Sequence, residues 1–97
     1  MNAEQTELFR IAILRVLDAN RTRYGIGIVA MGHHLNLFGF NIASFQGDVQ
    51  AFHDAIADAL QYLCDKGLVE EALKVVSKEN RAWRIASAGI AYIDQRG

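Results

Sequence analysis

The chain has 97 residues, of which 52% are hydrophobic and 22% charged, with no proline and a formal net charge of −1 at pH 7. This length predicts a single domain over residues 1–97, and high apolar content with low net charge excludes an intrinsically disordered chain. No apolar run reaches the roughly 18 residues of a membrane helix, and residues 1–5 lack the basic start of a signal peptide. Cys64 is the only cysteine, so we expect no internal disulfide and a cytoplasmic location.

The charge is unevenly distributed along the chain. Residues 41–66 carry four aspartates and one lysine, a net charge of −3, whereas residues 1–40 and 67–97 each carry +1. Most of the positive charge lies in two short segments, 21–23 and 74–84. The near-neutral net charge argues against a polybasic protein that binds nucleic acid by bulk electrostatics, so nucleic-acid binding would depend on where these cations lie.

The first half of the chain predicts two helices. Apolar residues in 4–19 form a broad stripe at helical spacing, and Glu4 and Glu7 suit the start of a helix. Residues 20–25 form a polar break, with Gly25 as the predicted helix stop. Residues 26–36 allow a short second helix despite two glycines.

An apolar segment precedes the third predicted helix. Residues 37–45 either tuck under the second and third helices or stay partly exposed as a dimer or partner surface. The third helix begins near 47–48, with Asp48 in the cap or first turn, and ends at Gly67. Its predicted core face consists of Phe52, Ile56, Ala59, Leu60 and Leu63.

The remaining residues predict a β-hairpin and a last helix. Residues 68–76 and 82–86 are typical of strands, and the polar residues 77–81 between them favour a turn. In the second strand Trp83 and Ile85 are expected to face the helices while Arg84 points outward. Ser87 is expected to cap the final short helix.

Two stretches resemble the winged helix-turn-helix superfamily of the MarR-like and ArsR-like sort. Residues 60–70, LQYLCDKGLVE, are similar to a recognition helix that runs through a glycine into the first wing strand. Residues 83–93, WRIASAGIAYI, are similar to the second wing strand and its continuation. The resemblance implies a mainly α fold with a small β-hairpin, in the order of three helices, the wing hairpin and a fourth helix.

The resemblance also implies DNA-contacting positions. The residues that would reach the major groove from helix 3 are Gln46, Gln50, His53 and Asp54. The wing and loop residues that would contact the DNA backbone are Lys74, Lys78, Arg81, Arg84, Arg21 and Arg23. These basic residues have a second interpretation, in which they only solvate an exposed hairpin and loop.

Two functions follow as hypotheses. The first is a small homodimeric transcriptional regulator that binds double-stranded DNA, with Leu8, Ile11 and Tyr92 as candidate dimer contacts. The second is a winged-helix protein-interaction module that does not bind DNA and docks a partner through its acidic helix 3. The spacing of His33, His34 and Cys64 is unsuited to a metal, and no nucleophile has a positioned base. We therefore expect no cofactor, no metal, no membrane partner and no enzyme activity.

Overall fold

The computed structural model describes residues 2–22, 24–72 and 81–96. Within these residues it has four α-helices: α1 Ala3–Ala19, α2 Ile28–Leu35, α3 Val49–Asp65 and α4 Ser87–Arg96. Its three strands are β1 Ile26–Gly27, β2 Val69–Glu71 and β3 Ala82–Ile85. They form one antiparallel sheet in the order β1-β3-β2. The protein is thus mainly helical with a small three-stranded sheet.

The helix predicted over 4–19 is confirmed as α1, which contributes more buried side chains to the core than any other described element. Asn2 caps its start: the Asn2 side chain accepts from Gln5 N at 2.8 Å, and Gln5 Oε1 accepts from Asn2 N at 3.2 Å. The prediction that Gly25 stops this helix is wrong. The helix ends at Ala19, and Asn20 caps it: both its backbone N–H and its Nδ2 donate to the Val16 carbonyl, at 3.1 and 2.8 Å.

Helix α3 packs against α1 and α2 through the predicted face. The five residues predicted for that face are all buried, with Ile56 and Leu60 fully so: Phe52, Ile56, Ala59, Leu60 and Leu63. Asp48 caps the helix, because its side chain accepts from Ala51 N at 3.0 Å. These residues join one hydrophobic cluster with α1, α2, Trp83 and Ile93.

The end of α3 turns directly into the sheet. Gly67 has a φ of +75°, the left-handed conformation that glycine adopts without strain. Leu68 N donates to the Leu63 carbonyl at 2.9 Å and Gly67 N to the Cys64 carbonyl at 3.0 Å, which together form a Schellman motif. The predicted role of Gly67 as the helix-ending glycine is confirmed.

The sheet contains one strand that the sequence did not predict. Strand β1 pairs Ile26 with Trp83, while β2 pairs Val69 with Ile85 on the other side of β3. Trp83 is 3% exposed and Ile85 is half-buried, as expected of inward-facing positions. The described part of β2 is shorter than the predicted 68–76, and residues 73–80, with most of the predicted turn, lie outside the described residues.

Segment 37–45 packs partly on the core and is partly exposed, and a dimer or partner surface at its exposed side chains stays a prediction. The ring of Phe40 lies 5.0 Å from that of Phe9, and the ring of Phe45 lies 5.2 Å from that of Phe52, so both complete the core. Leu37 is 84% exposed and Ile42 39%. Two short 3-10 helices, Asn36–Phe38 and Ile42–Phe45, place the side chains in this way.

The prediction that Ser87 caps α4 is wrong by one residue, because Ser87 already lies inside the helix. The Ala86 carbonyl accepts from Ile90 N at 3.1 Å, so Ala86 occupies the cap and Ser87 is the first helical residue. No described helix is both long and apolar enough to cross a membrane.

Candidate functional site

The outer face of α3 carries exposed carboxylates. Asp54 and Asp58 lie one turn apart and are both exposed. Gln50 Nε2 donates to Asp54 Oδ1 at 2.8 Å, and Gln61 Nε2 donates to Asp65 Oδ1 at 2.9 Å. Because these contacts are amide-to-carboxylate, they leave the negative charge on the surface. We call Gln50, Asp54 and Asp58 the acidic face.

Of the four predicted groove-reading residues, one lies off α3 and another is half-buried on it. Gln46 is not on α3: it ends the preceding 3-10 helix with a φ of +59°, so its placement on helix 3 is wrong. Its backbone N–H donates to Ala43 and Ile42 carbonyls there, which fixes it before the helix starts. His53 is on α3 but half-buried, and its ring stacks at 6.2 Å on that of Phe52. Only Gln50 and Asp54 of the four are exposed on the helix.

A cleft of about 400 Å³ lies beside the first turns of α3. We call it the α3 cleft, and α2, the segment around Ile42 and α3 line it: Val29, Gly32, His33, Asn36, Asn41, Ile42, Ala43, Phe52 and His53. Val29 is 61% exposed, although it is apolar. Asn41 Nδ2 donates to Asn36 Oδ1 at 3.2 Å along its polar side. The cleft thus offers apolar surface on the same helix as the acidic face, with His53 lining it and Asp54 about 100° further round α3.

The histidines and the cysteine do not assemble into a metal-binding group within the described residues. Among residues 2–22, 24–72 and 81–96, no three His, Cys, Asp or Glu side chains lie close enough to hold an ion. His33 and His53 share the α3 cleft. Cys64 is half-buried, and its thiol packs against the core as a small apolar group.

The described basic residues of the predicted wing are paired with carboxylates across the sheet. Arg84 Nε lies 2.6 Å from Glu70 Oε1, between partners in the β2–β3 register. Arg81 Nε lies 2.9 Å from Glu71 Oε1, and its guanidinium lies 4.9 Å from the Trp83 ring centroid. Both ion pairs are partly exposed, and such pairs contribute only about 0–1 kcal/mol. A competing anion can therefore replace the carboxylate at little cost.

Of the remaining predicted basic residues in the loop and wing, the structure describes only Arg21. Arg21 pairs with Asp18 three residues earlier, at the end of α1. Arg23, Lys74 and Lys78 lie outside the described residues. The structure therefore brings Arg21 and Arg84 to one cleft of about 220 Å³, which Thr22, Ile85 and Ile90 also line. Arg81 lies just before β3 and does not line that cleft.

Sequence reasoning missed the partners of the hairpin arginines and a second cationic group. Glu70 and Glu71 were noted only as breaking strand alternation. The antiparallel register places Glu70 opposite Arg84, and Glu71, which is opposite Trp83, accepts diagonally from Arg81. The second group is formed by Arg10 of α1 and Lys66 after α3. Their cationic groups lie 3.5 and 5.5 Å from the centroid of the Tyr62 ring. Their contact joins distant parts of the chain, so no local spacing reveals it.

Comparison of the chain with protein families, with curated proteins and with solved structures gives no match.

Proposed function

We propose that this protein is a winged-helix interaction module that docks a basic protein segment on the acidic face of α3. The observation that carries the proposal is that Asp54 and Asp58 are both exposed on α3, the helix whose first turns also line the largely apolar α3 cleft. A segment with lysines or arginines on one side and an apolar residue on the other matches both surfaces. Such a helix-in-groove arrangement is a recurrent mode of peptide recognition.

The order of the elements supports a winged-helix architecture. Three helices precede the antiparallel strands β2 and β3, and α4 follows them, as the resemblance implies. Gly67 connects α3 to β2, and Trp83 anchors β3 against the helices. In this arrangement α3 occupies the place of a recognition helix, and its exposed face is the surface offered to a partner.

The charges favour a protein partner over DNA. Asp54 and Asp58 would approach phosphates with like charge, which is destabilising, whereas they attract lysine and arginine side chains. The one described amide on the acidic face, that of Gln50, already donates to Asp54. The partner is therefore inferred to be basic and amphipathic, with its apolar residue near Val29 and Ile42.

DNA binding is the second candidate, and the hairpin favours it. Arg84 on β3 and Arg81 just before it form partly exposed ion pairs, in which phosphates can replace the carboxylates. The resemblance also gives the family's DNA-contacting roles to Lys74 and Lys78, which lie outside the described residues. In this second proposal the protein acts as a homodimeric transcriptional regulator whose hairpin contacts the backbone of double-stranded DNA.

A double charge reversal, Asp54→Lys with Asp58→Lys, separates the two functions. The matched control is Glu4→Lys with Asp94→Lys, because both residues are exposed, lie off α3 and change the net charge equally. Fluorescence anisotropy would measure binding of a lysine-leucine amphipathic peptide of about 14 residues, or four helical turns. The same assay would measure binding of a random DNA duplex at about 50 mM salt, where phosphate contacts are strongest.

For the docking proposal we expect the α3 variant to weaken peptide binding at least about tenfold, well beyond the control, since two charge contacts become repulsions. Equal weakening by both variants would reduce the interaction to net charge and would overturn the proposal. Duplex binding by the unmodified protein, strengthened in the α3 variant, would establish the DNA function instead. No duplex binding at low salt would eliminate it.

A further inference from the structure

We propose that a cavity between α1, the end of α3 and α4 binds a small monocarboxylate with an apolar chain. The cavity has a volume of about 260 Å³, slightly below the roughly 300–1,000 Å³ typical of ligand pockets. Arg10 and Lys66 supply its positive charge, and the Tyr62 ring lies between α1 and the end of α3. None of these three residues belongs to the α3 cleft or the acidic face, so the proposal is independent of the proposed function.

Arg10 carries an unpaired donor in this region. Its Nε is buried and has no hydrogen-bond acceptor among the described residues. The guanidinium carbon lies 3.5 Å from the Tyr62 ring centroid, so the ring fixes the orientation of the group without supplying an acceptor. Leaving a buried donor unpaired is costly, and a guanidinium matches the two oxygens of a carboxylate. Arg10 therefore points to an anionic acceptor, and because its Nε exposes almost no surface, that acceptor reaches the donor after the atoms covering it shift.

Lys66 adds a second cation near the same ring. Its Nζ lies 5.5 Å from the Tyr62 centroid, and within the described residues it forms no ion pair. Arg10 likewise has no carboxylate within ion-pair distance in that part of the chain. Two cations on one aromatic ring repel each other, and a shared anion would remove that repulsion.

The rest of the cavity selects the ligand further. Leu14 and Leu63 are buried and, with half-buried Leu68, give it an apolar wall. On the side of α4, Tyr92 Oη donates to Glu7 Oε1 at 2.6 Å, so a carboxylate lines the cavity there. A ligand with one carboxylate at Arg10 and an apolar chain along the leucines fits this distribution, whereas a second negative group would meet Glu7.

A neighbouring cleft does not offer the same chemistry. Arg10 also lines a second cavity of about 260 Å³ together with Phe9, Phe45 and Asp58. Asp58 would repel an anion there, and Lys66 and Tyr62 do not line that cleft. The carboxylate is therefore assigned to the cavity that contains both cations.

Hexanoate is the probe for this site, with the full chain followed by heteronuclear NMR. The arginine Nε–Hε signal of Arg10 reports a new acceptor directly, because hydrogen bonding to an anion shifts it downfield. We expect a saturable downfield shift with hexanoate, a weaker effect with acetate, which lacks the apolar chain, and none with the neutral analogue hexanamide.

Three variants complete the test. Arg10→Gln and Lys66→Gln should each weaken hexanoate binding about tenfold, while Arg15→Gln should leave it unchanged, since Arg15 is exposed on the same helix and does not line the cavity. If Arg10→Gln unfolds, the exposed Lys66 still provides the test. An Arg10 signal that hexanoate leaves in place, or equal losses in the Arg15 and Lys66 variants, would overturn the proposal.

Discussion

Replacing Gly89 by alanine tests how closely α4 lies against the chain that follows α3. Gly89 is buried in the first turn of α4. A Cβ added there would overlap the Leu68 carbonyl oxygen and would lie 2.8 Å from Ile85 Cγ1. The Leu68 carbonyl cannot move away freely, because it accepts from Ala86 N at 3.0 Å, the bond that positions the start of α4.

The expected change in the free energy of unfolding follows from opposing effects. Alanine is favoured over glycine within a helix by about 1 kcal/mol. Inserting a methyl group into a packed site costs about 1–3 kcal/mol, here at the upper end because the neighbour is backbone. Weakening the Ala86–Leu68 hydrogen bond adds about 1 kcal/mol. We expect Gly89→Ala to lower the stability by about 2–3 kcal/mol.

Gly32→Ala is the matched control for this substitution. Gly32 is also buried and helical, but its added Cβ would meet the edge of the Phe52 ring at 3.1 Å rather than a carbonyl. The gain in helix propensity offsets a small shift of that ring, so we expect a change within about 1 kcal/mol. Urea denaturation followed by circular dichroism and by fluorescence of Trp83 measures both variants. If Gly89→Ala were as stable as the unmodified chain, the close packing of α4 on Leu68 would be refuted.

Two further predictions concern the apolar segment and the dimer. Phe45→Ala should lower the stability by about 2 kcal/mol because its half-buried ring packs on Phe52, whereas Leu37→Ala should change it by less than about 0.5 kcal/mol. Equal effects in urea denaturation would contradict the assigned packing of this segment. The expected homodimer is tested at Leu8, which is 52% exposed on α1. Leu8→Glu should weaken dimerisation at least about tenfold in sedimentation velocity by burying an unpaired charge, and an unchanged dimer would exclude this contact.

The long helices were predictable because local chemistry determines them. In α3 the cap at Asp48, the apolar spacing from Phe52 to Leu63 and the stop at Gly67 all lie within one stretch of sequence. Strand β1 was not predictable, because two residues cannot show alternation. It exists since β3 offers Ile26 and Gly27 a free edge, a property of the folded sheet.

In the candidate sites, too, contacts within one helix were predictable and contacts between elements were not. The contact of Gln50 with Asp54 follows from the spacing of four residues on a helix. The pairing of Arg84 with Glu70 depends on strand register, and a shift of one residue would move Arg84 to the other face. The stack of Arg10 on Tyr62 depends on how two helices pack, so only the tertiary structure reveals it.

The acidic face, rather than the hairpin, decides between the two proposed partners. The ion pairs of Arg81 and Arg84 are exposed and weak, so either a phosphate or a partner's carboxylate can replace Glu71 and Glu70 at similar cost. The hairpin is therefore compatible with both partners. On α3 the charge is of one sign, and a phosphate backbone placed against Asp54 would meet repulsion that screening by salt reduces but does not reverse. Substitutions on α3, with the hairpin unchanged, consequently discriminate between DNA and a basic protein segment.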